Sequence, residues 1–166
     1  MAVYAPTEEA SYHEKDTFYA RLEQVLSLSH RKNLLLCLGD FNAVSGTARS
    51  SVIGPSGSGI PNDNTDCLLG FCSGNGLRIC GSWFQWRDIH RVTWFSNDGH
   101  TAKEIDHVLC NSRWRAVQQC RVYRSMEFDT DHRPVVATVA LKLKRSQKRE
   151  DLAPHYNICR LVDPVI

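Results

Sequence analysis

Apolar residues along this chain recur with two periods, and the switches between them mark its elements. Over residues 12–29, Phe18, Leu22, Val25 and Leu26 fall three and four apart among Glu, Lys, Arg and Gln, which predicts an amphipathic helix with its other face in water. Residues 33–38 (NLLLCL) are a short apolar run between a basic turn and Gly39, the pattern of a strand buried on both faces. The Ser-, Gly-, Pro- and Asn-rich stretch 45–64 predicts a long loop, and long loops in compact domains often carry function. Residues 65–75 read as a short helix with Leu68, Leu69 and Phe71 inward, closed by Gly76. Strands are predicted at 77–81, 91–95, 105–110, 117–123 and 135–143, with Asn97-Asp98-Gly99 as a hairpin turn between the second and third. The alternation from Val135 to Leu141 suggests a strand near the centre of a sheet. At the start, Ala2 to Thr7 has the character of a strand's end entering a loop.

Composition adds bounds. A chain of 166 residues, 42% hydrophobic and 23% charged, can build one domain with a real core. A net charge of +2 says little about partners, although Lys142, Lys144, Arg145, Lys148 and Arg149 gather basic charge that suits either phosphate contact or a solvated tail. The expected organisation is a domain over 1–143 followed by a basic linker and tail over 144–166. Seven cysteines stand singly, without a C-x-x-C pair, which argues against a zinc site and a secreted disulfide framework and for a reducing, intracellular compartment. No apolar run approaches the roughly 20 residues needed to cross a bilayer, so no membrane association is expected.

Three polar groups sit at the ends of apolar runs. Gly39-Asp40-Phe41-Asn42-Ala43 follows the 33–38 run and sets a carboxylate and an amide two residues apart. Such an Asp can activate water while the Asn holds a phosphate oxygen; equally, the pair can form an Asx-turn that ends the strand. In Glu104-Ile105-Asp106-His107-Val108-Leu109, alternation puts Ile105 and His107 on one side and Asp106 and Val108 on the other. Asp106 then shares a face with apolar neighbours and needs a partner, commonly a histidine that it orients, whereas His107 alone suits a surface or internally satisfied position. Asp129-Thr130-Asp131-His132-Arg133-Pro134 offers a hard oxygen ligand beside an imidazole, a pair suited to metal-assisted attack on phosphate.

The ordered series Tyr4-Ala5-Pro6, Gly39 to Ala43, Thr93-Trp94, Ile105-Asp106-His107 and Thr130-Asp131-His132 resembles the endonuclease/exonuclease/phosphatase superfamily. Asn62-Asp63-Asn64, Leu68-Leu69, Phe71-Cys72, Asp98-Gly99, Arg113-Trp114-Arg115 and the tail Leu161 to Pro164 are similar to the apurinic-like endonuclease domains of RTE-type non-LTR retrotransposons. The resemblance implies a four-layered α/β sandwich, here without its N-terminal half, and in-line hydrolysis of DNA with Mg²⁺ or Mn²⁺. It implies that Asp40 activates the attacking water, Asn42 and Tyr4 contact the scissile phosphate, and His132 stabilises developing charge. Asp106 would then orient His132, and Asp131 would lie at the metal. Trp94 joins Asn42 as a substrate-binding candidate. Thr130 stands where the superfamily usually carries Ser, which keeps the hydroxyl.

The superfamily's N-terminal half also brings a Glu that is a principal metal ligand, and nothing precedes Met1. The expectation is therefore an incomplete Mg²⁺ site, weak or absent activity, and a sheet face left to solvent or to a second chain. DNA is the expected partner, and nuclear residence follows from that substrate. Two other classes compete: a non-catalytic module for binding nucleic acid or protein, and a phosphomonoesterase or phospholipid hydrolase of the same superfamily. Trp83, Trp86, Trp94 and Trp114 suit packing or base stacking, and Arg87, His90 and Arg91 with Trp86 form either a DNA-facing ridge or a solvated loop.

Overall fold

The computed structural model describes residues 1–30, 33–111, 113–124 and 129–141. The expected basic linker and tail at 144–166, and the end of the last predicted strand at 142–143, lie outside the described residues. Strand β1 (Ala2–Tyr4) leads into helix α1 (Tyr12–Ser27), then β2 (Leu36–Asp40) and helix α2 (Asp63–Gly74). There follow β3 (Arg78–Ile79), β4 (Trp94–Phe95), β5 (Ala102–Lys103), β6 (Asp106–Cys110), β7 (Val117–Val122) and β8 (Val135–Val139).

Helix α1 starts where a reciprocal cap forms: the Glu14 N–H donates to Ser11 Oγ at 3.3 Å, and the Ser11 N–H donates to Glu14 Oε2 at 2.9 Å. Leu22 and Leu26 are buried on its inner face, each burial stabilising by roughly 2 kcal/mol, while Val25, expected inward, is exposed. The outer face is wet, as expected; Lys15, in line with Leu22 and Leu26, is buried on the inner face, where its Nζ donates to the Glu8 carbonyl at 2.8 Å. Helix α2 starts two residues earlier than predicted because Asn62 caps it, accepting the Thr65 N–H at 3.0 Å. Gly76, at φ 61°, ends it as expected, and the Leu77 N–H returns to the Cys72 carbonyl at 2.8 Å.

The central sheet has the order β1-β2-β6-β3, with β1 parallel to β2 and the other pairs antiparallel. The two faces of β6 separate as the alternation required. Leu109 joins Leu22, Leu26, Cys37, Leu68 and Phe71 under the helices, while Val108 and Cys110 join Val117 and Cys120 against the β7–β8 hairpin. Among the described residues the layers therefore run helices, sheet, hairpin. Strand β2 is sealed on the face of Cys37; on the other, Leu36 packs against the second cluster and Asp40 is buried, but Leu38 between them is 37% exposed.

Several predicted strands are shorter than their apolar runs. Ile79 gives way to a 3-10 turn, Cys80–Trp83, because Ser82 Oγ donates back to the Ile79 carbonyl at 2.6 Å. The Asn97 to Gly99 turn does close a hairpin, but its second strand is β5, a two-residue strand too short and exposed to leave a pattern. Strand β8 pairs with β7 in a two-stranded sheet and is half-exposed along its length, so it is an edge rather than the expected central strand. The predicted long loop holds no helix or strand until α2 begins at Asp63, yet Ser45, Val52 and Ile53 are buried in it.

Candidate active site

Asp40 ends β2, Asp106 begins β6, and the two are direct cross-strand partners, which places their carboxylates side by side at one end of the sheet. Gly39 makes this possible. At φ 155° its α-carbon lies so near β1 that an added Cβ would stand 1.8 Å from the Val3 carbonyl oxygen. Asp40 is 8% exposed. Its Oδ1 accepts the Asn42 N–H at 2.7 Å, so the Asx-turn expected as an alternative is present, and Asn42 takes the left-handed φ of 47° that Asn tolerates. Its Oδ2 remains for chemistry and faces His132 Nε2 at 4.0 Å. Burial raises the Asp40 carboxyl above the ordinary carboxylate range; the Asn42 N–H opposes this and the Asp106 charge adds to it.

His132 is oriented by Asp106, whose Oδ2 lies 3.0 Å from its Nδ1. A proton on Nδ1 donated to that carboxylate leaves Nε2 turned toward Asp40. The loop carrying His132 is fixed by β4. The Phe95 N–H donates to the Asp131 carbonyl at 3.1 Å and the Arg133 N–H to the Thr93 carbonyl at 2.7 Å. Thr93 binds the other side too: its Oγ1 accepts the N–H groups of Ile105 and Asp106 at 3.0 and 3.1 Å. One buried threonine thus ties the Asp106 strand to the His132 loop. Its place in the Thr93-Trp94 pair was visible in the sequence, its bonding was not.

The remaining candidates fall around this trio. Tyr4 is the parallel partner of Asp40 on β1 and is 70% exposed. Asn42 Nδ2 donates to the Ala5 carbonyl at 2.9 Å, which leaves its side-chain oxygen and second amide hydrogen available. Asn64, buried and not singled out for the site, donates to both the Pro6 and Asn42 carbonyls, at 3.1 and 3.0 Å. Trp94 Nε1 donates to Asp131 Oδ2 at 2.7 Å, so these two candidates engage each other, and that bond holds the Asp131 carboxyl below its ordinary range. His107 is the internally satisfied histidine, buried with Nε2 at 2.7 Å from the Ala43 carbonyl. Arg91 of the supposed ridge pairs with Glu104 at 2.9 Å.

No family model matches the chain. In sequence it is similar to craniofacial development protein 2 of Bos taurus, 34% identical over 146 residues, which are 87% of this chain and 25% of that protein. The same protein of Tragulus javanicus is 33% identical with the same coverage. The chain thus spans a quarter of the length of the curated relatives it matches. In structure it superposes on the endonuclease domain of TRAS1, a telomere-specific non-LTR retrotransposon, with a TM-score of 0.60 and 18% identity, covering 84% of this chain and 57% of that one. The chain has the endonuclease/exonuclease/phosphatase fold. An endonuclease/exonuclease/phosphatase family protein from Leptotrichia buccalis C-1013-b agrees, with a TM-score of 0.57, 16% identity and coverage of 84% and 46%.

Proteins of the endonuclease/exonuclease/phosphatase fold are typically metal-dependent, and the donor set here suits a hard cation. Asp40, Asp106 and His132 each present a ligand atom, all within 4.8 Å of one another. Two carboxylates opposed in register, one desolvated, repel each other, and a dication beside them would relieve that repulsion. Asp131 lies outside this group of three. No helix among the described residues is long and apolar enough to cross a membrane.

Proposed function

We propose that this site hydrolyses phosphodiester bonds in DNA with the help of Mg²⁺ or Mn²⁺. The observation that carries the reading is the alignment of Asp40, His132 and Asp106, with 4.0 Å between His132 Nε2 and Asp40 Oδ2. That separation is too long for a direct hydrogen bond and wide enough for a water or phosphate oxygen between the two groups. Asp40 Oδ2 takes a proton from the attacking water, helped by a carboxyl pKa that burial brings closer to neutrality. As the new P–O bond forms and the bond to the leaving oxygen breaks, His132 Nε2–H donates to the phosphoryl oxygen on which charge grows, and Asp106 holds the imidazolium in place. The free amide groups of Asn42 and the exposed hydroxyl of Tyr4 steady the phosphate. The Asp40 and Asp106 carboxylates, with Asp131, would hold a divalent ion, which would supply positive charge to the phosphate and leaving oxygen. Trp94 contributes through the edge of its indole at that carboxylate.

DNA is favoured over lipid or inositol phosphate by the sequence likeness around residues 62–115, and a DNA substrate implies work in the nucleus. The test is nicking of supercoiled plasmid in Mg²⁺ and in Mn²⁺. Slow nicking is expected, since a hard dication takes about six oxygen ligands and few are offered here, and both His132→Ala and Asp40→Asn should abolish it. Nicking that survives both substitutions refutes the reading. Retention of the plasmid in a gel without any cleavage favours the alternative, a nucleic-acid-binding module.

A further inference from the structure

Within Asn62-Asp63-Asn64, the first asparagine caps α2 and the last takes no part in that cap. Asn64 instead turns inward and is 3% exposed, in a first helical turn where water could have served a polar side chain. Burying an amide is unfavourable unless its hydrogens find acceptors. Here Nδ2 donates to the Pro6 carbonyl at 3.1 Å and to the Asn42 carbonyl at 3.0 Å, which uses both of its hydrogens.

The two acceptors belong to different segments of the site. Pro6 lies on the chain leaving Tyr4 at the end of β1, and Asn42 lies in the turn that follows Asp40 at the end of β2. A second link joins the same segments, from Asn42 Nδ2 to the Ala5 carbonyl at 2.9 Å. Asn42 needs such support, because its φ of 47° is a left-handed conformation that persists where neighbours over-determine it. Its N–H is fixed by Asp40 and its side chain by Ala5, both within the site, whereas its carbonyl is fixed from α2 by Asn64. Without that third bond the peptide after Asn42 is free to rotate. The side-chain oxygen and second amide hydrogen of Asn42 then lose their set direction.

We infer that Asn64 is a positioning residue for the phosphate contacts, holding Asn42 and the chain after Tyr4 in the relative placement that lets both meet one phosphate. That role rests on the contacts proposed for Asn42 and Tyr4, and not on hydrolysis itself. Binding of a fluorescein-labelled DNA duplex in EDTA, read by anisotropy, tests it without cleavage. Asn42→Gly, which keeps the left-handed backbone and removes the amide, should weaken binding about tenfold, the scale of one hydrogen bond to a charged group. Asn64→Ala should weaken it as much, and the double variant no further. Additive losses would show that Asn64 acts through something other than Asn42 and overturn the inference. Unchanged binding by Asn42→Gly would overturn it together with the phosphate role given to Asn42. In the nicking assay Asn64→Ala should raise KM about tenfold and leave kcat within about twofold, whereas a fall in kcat at unchanged KM marks a merely less folded protein and would overturn the inference. A parent that binds the duplex but does not nick refutes hydrolysis and leaves the binding comparison to decide. If Asn64→Ala does not fold, Asn64→Ser, whose hydroxyl has one hydrogen to give, should lose roughly threefold in binding, and parent-like binding by it would count against the role.

Discussion

Replacing Gly39 by alanine should disable the site without touching any residue in it. An added Cβ would stand 1.8 Å from the Val3 carbonyl oxygen, where ordinary contact begins at 3.4 Å, so β1 must retreat by roughly 1.6 Å. The bonds joining β1 to β2 are 2.8 to 3.0 Å long, among them Ala5 N–H to the Asp40 carbonyl, Leu38 N–H to the Met1 carbonyl and the terminal amine to the Leu36 carbonyl. Lengthened by that much, none survives. Three such bonds at about 1 kcal/mol each, plus 1–2 kcal/mol for a side chain at positive φ, give a loss of about 4–5 kcal/mol. For a chain of this size that lowers the melting temperature by roughly 10–15 °C. Because Asn42 is anchored to the Ala5 carbonyl and Tyr4 pairs with Asp40, nicking should fall with it. Calorimetry measures the first effect and plasmid nicking, at a temperature where both proteins are folded, the second. A variant that melts within about 2 °C of the parent would show that β1 is not held as described.

Asp40→Asn should stabilise the protein near neutral pH while removing cleavage. Burial raises the Asp40 carboxyl above its ordinary value of 3.8, so the ionised form costs stability at all pH above the folded pKa, and the cost vanishes below 3.8. The variant's thermal advantage should therefore fade as pH falls through that window, and an advantage that grows on acidification would refute the assignment. Asp106→Asn should leave the fold intact but lower the nicking rate by roughly 10⁴-fold, the scale known for a carboxylate that orients a catalytic histidine; a loss below about tenfold would mean that His132 is held by other means. Trp94→Phe keeps the ring and removes the hydrogen bond to Asp131, so by NMR titration the Asp131 carboxyl should move up toward 3.8. No movement would mean that the bond does not persist in solution.

Asp40, Asp106 and His132 were legible because each polar cluster adjoins an apolar run, and their alternation already assigned Asp106 and His107 to opposite faces. What joins them was not. The pairing of β2 with β6 spans some seventy residues and has no local signature, and Thr93 acts through a hydroxyl that no hydrophobic pattern reports. The apolar run at 33–38 suggested burial on both faces, yet the face bearing Leu38 is covered only toward the hairpin. Strand β8 was misplaced for a simpler reason: strict alternation describes a strand with one wet face, as β8 has, and carries no information about its lateral place in a sheet, where it pairs with β7 alone among the described residues.

Because Asp40 and Asp106 meet as cross-strand partners, the alignment of the site is a matter of strand register. Deleting or inserting one residue between Cys37 and Asp40 would turn either Asp40 to the opposite face or Cys37 out of the core in a single step. The exposed turn from Asn97 to His100 can change length with far less consequence. Among copies of a sequence like this one drifting without selection, the site should be lost abruptly, by single-residue frameshifts of a strand, more than by gradual erosion of its side chains. Copies that keep Asp40, Asp106 and His132 but differ in length between residues 36 and 40 should be inactive in the nicking assay although all three side chains are present.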